Sequence, residues 1–272
     1  MNKKDLFDLY YKTFVSLYGV IDSVRAYEII FYYHPEIDED DFLKDLEKRS
    51  YKEEVHYYGI IRSDADGVYL ICDESFFVED NYEDEIDKCI DAKRTDDYYF
   101  MEDSEEDYFK YSLMDYLPFH PMNDDILQRI SSLFKKDSHH DPIDIMLDVM
   151  SICSLFEETN YSLILQEFKR MRLKLNRSNM DFVIELIDDI AYISRNWYLN
   201  GFTQEETDFR ECFTLDENDV LHISEITKEN IKNLNLDYKA LIAAVEKLDF
   251  PKENIDLLKE EIIEASKKIV LN

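Results

Sequence analysis

Four glycines, Gly19, Gly59, Gly67 and Gly201, serve a chain of 272 residues, and no two of them lie closer than eight positions. Ordinary usage of about 7% would place roughly 19. Loops that cradle phosphate need glycines close together so that backbone N–H groups can approach the anion. A Walker loop, a dinucleotide-binding fingerprint, a kinase glycine-rich loop and a G-x-S-x-G elbow are therefore excluded. With only five prolines as well, the chain has few tight turns, which points to a mostly helical fold. Its apolar content of 45% and aromatic content of 14% are far above those of a disordered acidic tail. The length suffices for one large domain or two or three small ones.

Hydrophobic periodicity sets out the N-terminal third. Leu6, Leu9, Tyr10, Phe14, Leu17 and Tyr18 recur at helical spacing over residues 4–18. A second helix is expected over 22–33, with Val24, Tyr27, Ile30, Phe31 and His34 on one face and Pro35 ending it. A third begins near Asp38, where acidic residues suit the positive end of a helix. In EVHYYGIIRSDADGVYLICDE the residues alternate, and Asp66-Gly67 falls between two β-rich runs, which is a hairpin signal. Three helices followed by a hairpin is the order of a winged-helix domain. The expected fold class is mainly α with a small β-hairpin region (α+β). A winged-helix-like unit over 1–72 is followed by an acidic, aromatic-rich connector over 73–118 and a helical domain over 119–272.

In that last domain, helical patterns run through Ile126, Ile130, Leu133 and Phe134, then through Ile143, Met146, Leu147, Met150 and Cys153. Tyr161, Leu163, Leu165 and Phe168 start another, and Met180 to Ala191 a fourth, for which Asn200-Gly201 is the expected C-terminal cap. Thr203 and Glu206 have capping-box spacing for a short helix. Residues 213–223 read as a small hairpin. Asp237 and Pro251 then open two closing helices.

Charge narrows the function. The chain holds 62 Asp and Glu against 31 Lys and Arg, a net charge of −31. Such a chain is repelled by phosphate and by anionic membranes, so direct nucleic-acid binding and membrane binding are not expected. Its favoured partners are basic surfaces. The stretch 73–107 has 16 acidic and 3 basic residues interleaved with aromatics. Read structurally it is a solvated linker with aromatic anchors. Read functionally it is a partner-binding surface carried by Asp80, Glu83, Asp84, Glu85, Asp96, Asp97, Tyr98, Tyr99, Glu102, Asp103, Glu105, Glu106 and Asp107.

Catalytic constellations are hard to assemble. Cys72, Cys89, Cys153 and Cys212 form no C-x-x-C pair, so they read as reduced, partly buried thiols. His139-His140-Asp141, with Asp137 and Asp144 nearby, looks at first like a metal cluster. Adjacent side chains diverge, however, and Asp141-Pro142 reads better as a helix start. Acidic pairs such as Asp40-Asp41, Asp96-Asp97 and Asp188-Asp189 lack the flanking lysine of a nuclease site. No cofactor is expected. In the basic run KRMRLKLNR (169–177), Arg170, Lys174 and Arg177 would share a helix face as internal counter-charge.

Trp197, the one tryptophan, lies in SRNWYLNGFTQEE. With Gly201, Thr203 and Glu206 it resembles a motif in uncharacterised SEC-C-associated intracellular proteins of low-GC Gram-positive bacteria. Arg195 matches that motif in its spacing to Trp197. Phe202 stands for the family histidine, Gln204 for its proline, and the C-terminal cysteine-rich metal motif is absent. Read from its residues, the segment is structural: Trp197 packs, Gly201 reverses the chain and Thr203 caps.

With no signal-peptide core and no membrane-length apolar run, a soluble cytoplasmic protein is expected, its oligomeric state open. The leading functional expectation is a non-enzymatic acidic module, an inhibitor or regulator that occupies a basic site of a partner. A nucleic-acid-handling protein offers such a site, and bacterial or phage inhibitors of defence nucleases are similar in composition. The alternative is a winged-helix adaptor or transcription-related regulator acting by protein contacts.

Overall fold

The structure is a computed structural model that describes residues 2–50, 57–63, 68–78, 82–93, 98–113, 115–134, 140–173, 175, 177–216, 220–233, 236–246 and 251–267. The fold is mainly α with small antiparallel β elements, as the periodicity predicts. The chain divides into two compact units, Met1–Gln204 and Glu205–Asn272.

The first unit opens with α1 (Lys3–Tyr18), capped by the Asn2 side chain. Its buried residues run nearly all the way round, from Leu6 and Phe7 through Tyr10, Tyr11, Phe14 and Val15 to Tyr18, so it is a central helix rather than a one-faced surface helix. A three-residue strand, β1 (Val20–Asp22), follows, and Asp22 caps α2 (Ser23–Tyr33) by accepting from the Val24 and Arg25 amides. Then come α3 (Glu39–Ser50), β2 (Tyr58–Arg62) and β3 (Tyr69–Asp73). The sheet order is β1-β3-β2, all antiparallel, with Val20 and Gly59 on either side of Cys72. The element order is thus helix–strand–helix–helix–strand–strand, with the last strand central. The alternation reading missed β1, because three residues are too few to show a period. The expected Asp66-Gly67 turn lies outside the described residues. Arg49, 8% exposed, ties three elements together through Asp45 (2.6 Å), the Tyr58 hydroxyl (2.6 Å) and the Lys4 carbonyl (3.0 Å).

The inward face of α2 is Ser23, Ala26, Ile29 and Ile30, whereas Val24 and Phe31 are 52% and 49% exposed. The helix carries more apolar residues than one face can bury, and periodicity alone cannot choose between two overlapping stripes. The acidic stretch is also not a connector, and no unit boundary falls at 72/73 or 118/119. It contains a 3₁₀ turn (Glu74–Val78), α4 (Tyr82–Asp91) and α5 (Glu105–Lys110). Phe100, Tyr108 and Tyr111 are buried in the same core as α1, α2 and α3. Each aromatic ring takes a large apolar area out of water, which outweighs the solubility of its acidic neighbours.

A second core in this unit joins α6 (Asn123–Phe134), α7 (Pro142–Ser154), α8 (Tyr161–Arg170) and α9 (Met180–Tyr192) around residues such as Ile130, Met146, Phe168 and Ile187. Asp141 caps α7 with Pro142 in its first turn, as read from the sequence. Helix α9 ends at Tyr192, not at Asn200-Gly201. Those two close a separate 3₁₀ turn, Trp197–Leu199, with Asn200 at φ 50° and Gly201 at φ 81°. Helix α8 stops at Arg170, and Arg172 takes a positive φ of 62°. Arg170 and Arg177 therefore do not share a helix face, and Lys174 lies outside the described residues. Arg170 pairs within its own helix, with Glu167.

The second unit takes up α10 (Gln204–Glu211) from its second residue, then the hairpin β4 (Phe213–Leu215) and β5 (Leu221–Ile223), α11 (Glu225–Lys232), α12 (Tyr238–Val245) and α13 (Lys252–Lys267). Its core is Ile223, Ile231, Leu241, Val245, Leu258 and Ile262. The hairpin and the Asp237 cap match the sequence reading. Helix α11, capped by Ser224, was not expected. Among the described residues no helix is long and apolar enough to cross a membrane.

Candidate partner-binding surface

The thirteen residues singled out in the acidic stretch fall into separate groups. Asp80, Asp96 and Asp97 lie outside the described residues. Glu83 and Asp84 are exposed in the first turn of α4, and Glu85 pairs with Lys88 at 2.6 Å. Tyr98 is 65% exposed. Tyr99 instead packs edge-on against Tyr18, with ring centroids 5.0 Å apart. Burial, then the Asp22 carboxylate, raises its pKa to about 12.

The remaining five lie in α5 and just before it, and two of them reach the end of α2. Ser104 caps α5 and, with Lys110, binds Asp107, holding that carboxyl below its usual range. Tyr33 donates to the Glu102 carbonyl, and Tyr111 donates to the Glu102 carboxylate at 3.0 Å. Glu105 faces inward: Tyr10 donates to its Oε1 at 2.5 Å, and His34 Nε2 stands 2.6 Å from the same oxygen. His34 Nδ1 lies 2.9 Å from Glu36 Oε1. Burial opposes a charge on this imidazole, but the bonds to Glu36 and Glu105 outweigh it, and the pKa is raised. Both ring nitrogens are thereby engaged, so this chain of groups clamps α1, α2 and α5 together rather than presenting a base to a substrate. Asp103 and Glu106 remain exposed.

Comparison with protein-family models, with curated proteins and with solved structures finds no match. The reading of this surface therefore rests on its own geometry. Three features of it escaped the sequence reading. His34 stands 71 residues from Glu105, and no spacing rule reaches that far. Phe31 and Tyr32 form, with Glu28, an exposed face of α2, with the rings 49% and 63% exposed. The overloaded string IIFYYHPE was the available signal. Third, α3 exposes Glu39, Asp40, Asp41 and Glu47 beside Lys44 and Lys48. The helix is net acidic.

Elsewhere the chemistry is structural. Lys93 donates to the carbonyls of Tyr18 (3.0 Å), Val20 (3.2 Å) and Trp197 (3.1 Å), and desolvation lowers its pKa to about 8. All three ammonium protons are used. Trp197 donates from Nε1 to the Ser16 carbonyl at 3.1 Å and stacks on Phe76. Burial raises the thiol pKa values of Cys72, Cys89 and Cys153, the last to about 12, so none is a ready thiolate. A cleft of about 180 Å³, lined by Glu157, Asp188, Tyr192 and Leu199 among others, opens beside Cys153. Among the described residues no group of three or more His, Cys, Asp or Glu is placed to hold a metal ion, and His139 and Asp137 lie outside them.

Proposed function

We propose that this chain is a non-enzymatic protein-binding module that occupies a basic site on a partner, such as the nucleic-acid-binding face of another protein, and thereby inhibits or regulates it. One observation carries the reading. The α3 helix turns Glu39, Asp40, Asp41 and Glu47 to solvent. Carboxylates there repel phosphate and attract lysine and arginine, releasing the counterions that such a partner holds. Exposed Glu83, Asp84, Asp103 and Glu106 extend the same field. The test is competition. A captured basic partner should be displaced by duplex DNA, and its retention should fall sharply between about 50 mM and about 200 mM salt. Retention that ignores both salt and DNA overturns the reading.

The connectivity itself favours a second reading, an adaptor or transcription-related regulator that docks through the winged-helix elements by shape. Deleting 1–72 cannot separate the two, because Phe100, Tyr108 and Tyr111 share the core of α1. Charge-neutral variants can. Loss of binding on Glu39→Gln/Asp40→Asn/Glu47→Gln or on Glu83→Gln/Asp84→Asn/Asp103→Asn/Glu106→Gln favours the acidic surface, and binding that survives both sets, which keep shape and remove charge, favours the adaptor.

A further inference from the structure

The exposed face at the C-terminal end of α2 combines rings and carboxylates in a way that selects one kind of cation. Phe31 and Tyr32 are 49% and 63% exposed on a helix whose other side is fully committed to the core. Glu28, one turn back on the same face, is exposed, as are Glu36 just beyond the helix and Asp103 beside it. Asp103 follows Glu102, whose carbonyl accepts a hydrogen bond from Tyr33 in the last turn of the helix. The eleven-residue helix ends here with no basic residue in its last turn, so its own partial negative charge points the same way.

We infer that this face of α2 is a docking site for an arginine-bearing segment of a partner protein, with guanidinium planes stacked on Phe31 and Tyr32 and forked onto Glu28, Glu36 and Asp103. The inference rests on the acidic-surface reading and sharpens it. A lysine ammonium satisfies the carboxylates as a point charge but gains little from a ring. Guanidinium is planar, weakly hydrated, and suited to both partners at once. A guanidinium already meets one of these carboxylates, Arg25 Nη1 standing 2.8 Å from Glu28 along this helix. The other occupants fit worse. A second copy would bring its own carboxylates against these, and nucleic acid or an anionic membrane would bring phosphate.

The experiment compares two synthetic peptides of equal length, charge spacing and net charge, one built with arginine and one with lysine, titrated into the full chain at about 50 mM salt. The expected result is that the arginine peptide binds about fivefold tighter. The double variant Phe31→Ala/Tyr32→Ala should erase that preference while still binding both peptides weakly. Ile184→Ala, on the exposed face of α9, should leave it intact, and a thermal melt of each variant checks folding. Equal binding of the two peptides to the native chain sinks the inference and leaves the acidic-surface reading standing. A preference that survives removal of both rings places the site elsewhere and also sinks it. Binding of neither peptide sinks both readings. A dimer that dissociates in the ring variant makes a second copy the occupant and overturns the assignment.

Discussion

At Gly19 a single hydrogen atom decides the packing of the Trp197 turn. The residue sits at φ 67°, and a Cβ there would stand 2.3 Å from Cδ2 and Cε3 of the indole. Glycine is required twice over, for the left-handed backbone and for the ring's approach. Gly19→Ala should destabilise the first unit by about 3 kcal/mol or more, since the strained backbone and the overpacked ring act together. Denaturant unfolding read by the fluorescence of Trp197 checks this, and a loss under about 1 kcal/mol would mean that the indole has another place to sit. Gly201, with φ 81° and a Cβ position 2.8 Å from Tyr18 Cε1, has the same dependence on a softer neighbour. Lys93 closes the joint by holding three carbonyls with one ammonium. Its folded pKa, about 8, lies below the unfolded value because burial penalises the charge. The unfolded chain therefore binds more protons between the two values. The contribution of Lys93 to stability is then lowest below about pH 8 and rises toward about pH 10. Lys93→Met should cost about 2 kcal/mol at neutral pH, because it strands the three carbonyls, and the gap to the native chain should widen from pH 8 to pH 10. A gap that stays constant over that range would mean that the ammonium is not desolvated.

The elements of the first unit are held by polar contacts that only the fold brings together. His34, at the end of α2, bridges Glu105 of α5 and Glu36. Its pKa is raised in the folded state by those hydrogen bonds, working against burial. Its stabilising contribution is accordingly full below the unfolded value near 6.5 and is lost as the pH rises through the raised folded value. His34→Gln should lower stability by less than about 1 kcal/mol near pH 5.5, with no difference from the native chain well above neutrality. Denaturant midpoints at a series of pH values read this directly, and a difference that grew with pH would reverse the sign and refute the bridge. Neither Glu105 nor His34 announced this role in the sequence, where they lie 71 residues apart. Element positions were far more legible. Leu6, Tyr10, Phe14 and Leu17 locate α1, Asp141-Pro142 starts α7, and the β-rich runs flanking residues 63–68 mark β2 and β3. Such signals are local, and hydrophobic period, caps and turns survive without tertiary context. What failed was the choice of face. In α2 the strings of aromatic residues fit two stripes, and the core took Ala26, Ile29 and Ile30. The burial of Phe100, Tyr108 and Tyr111 within an acid-rich stretch was equally hidden, because charge density is read along the chain and burial is decided across it. Of the acidic surface itself, the sequence located Asp103 and Glu106 but not the rings of Phe31 and Tyr32 beside them.

Taken whole, the molecule carries its charge as a liability and as a tool, and salt separates the two. The first unit holds 45 Asp and Glu against 22 Lys and Arg, and the second holds 17 against 9. Among the described residues many ion pairs are local and exposed, three or four residues apart on one helix, as with Lys88–Glu85, Lys228–Glu225 and Lys267–Glu264. Pairs of that kind contribute little, so they do not cancel the self-repulsion of a chain at −31. Raising a monovalent chloride from about 0.01 M to about 0.1 M shortens the Debye length from about 30 Å to about 10 Å. Repulsion between distant carboxylates is then screened, while the buried cores are untouched. The melting temperature should rise by roughly 3 °C or more over that range. Binding of a basic partner should move the opposite way, because the same ions screen the attraction and reduce the gain from counterion release. Calorimetry and an affinity titration on one set of samples measure the two slopes together. Opposite signs are what an exposed carboxylate surface at work requires. If stability rises with salt while partner affinity stays flat, the charge keeps the chain apart from its neighbours but does not recognise anything. The contact would then have to be made by apolar faces such as that of α2 alone.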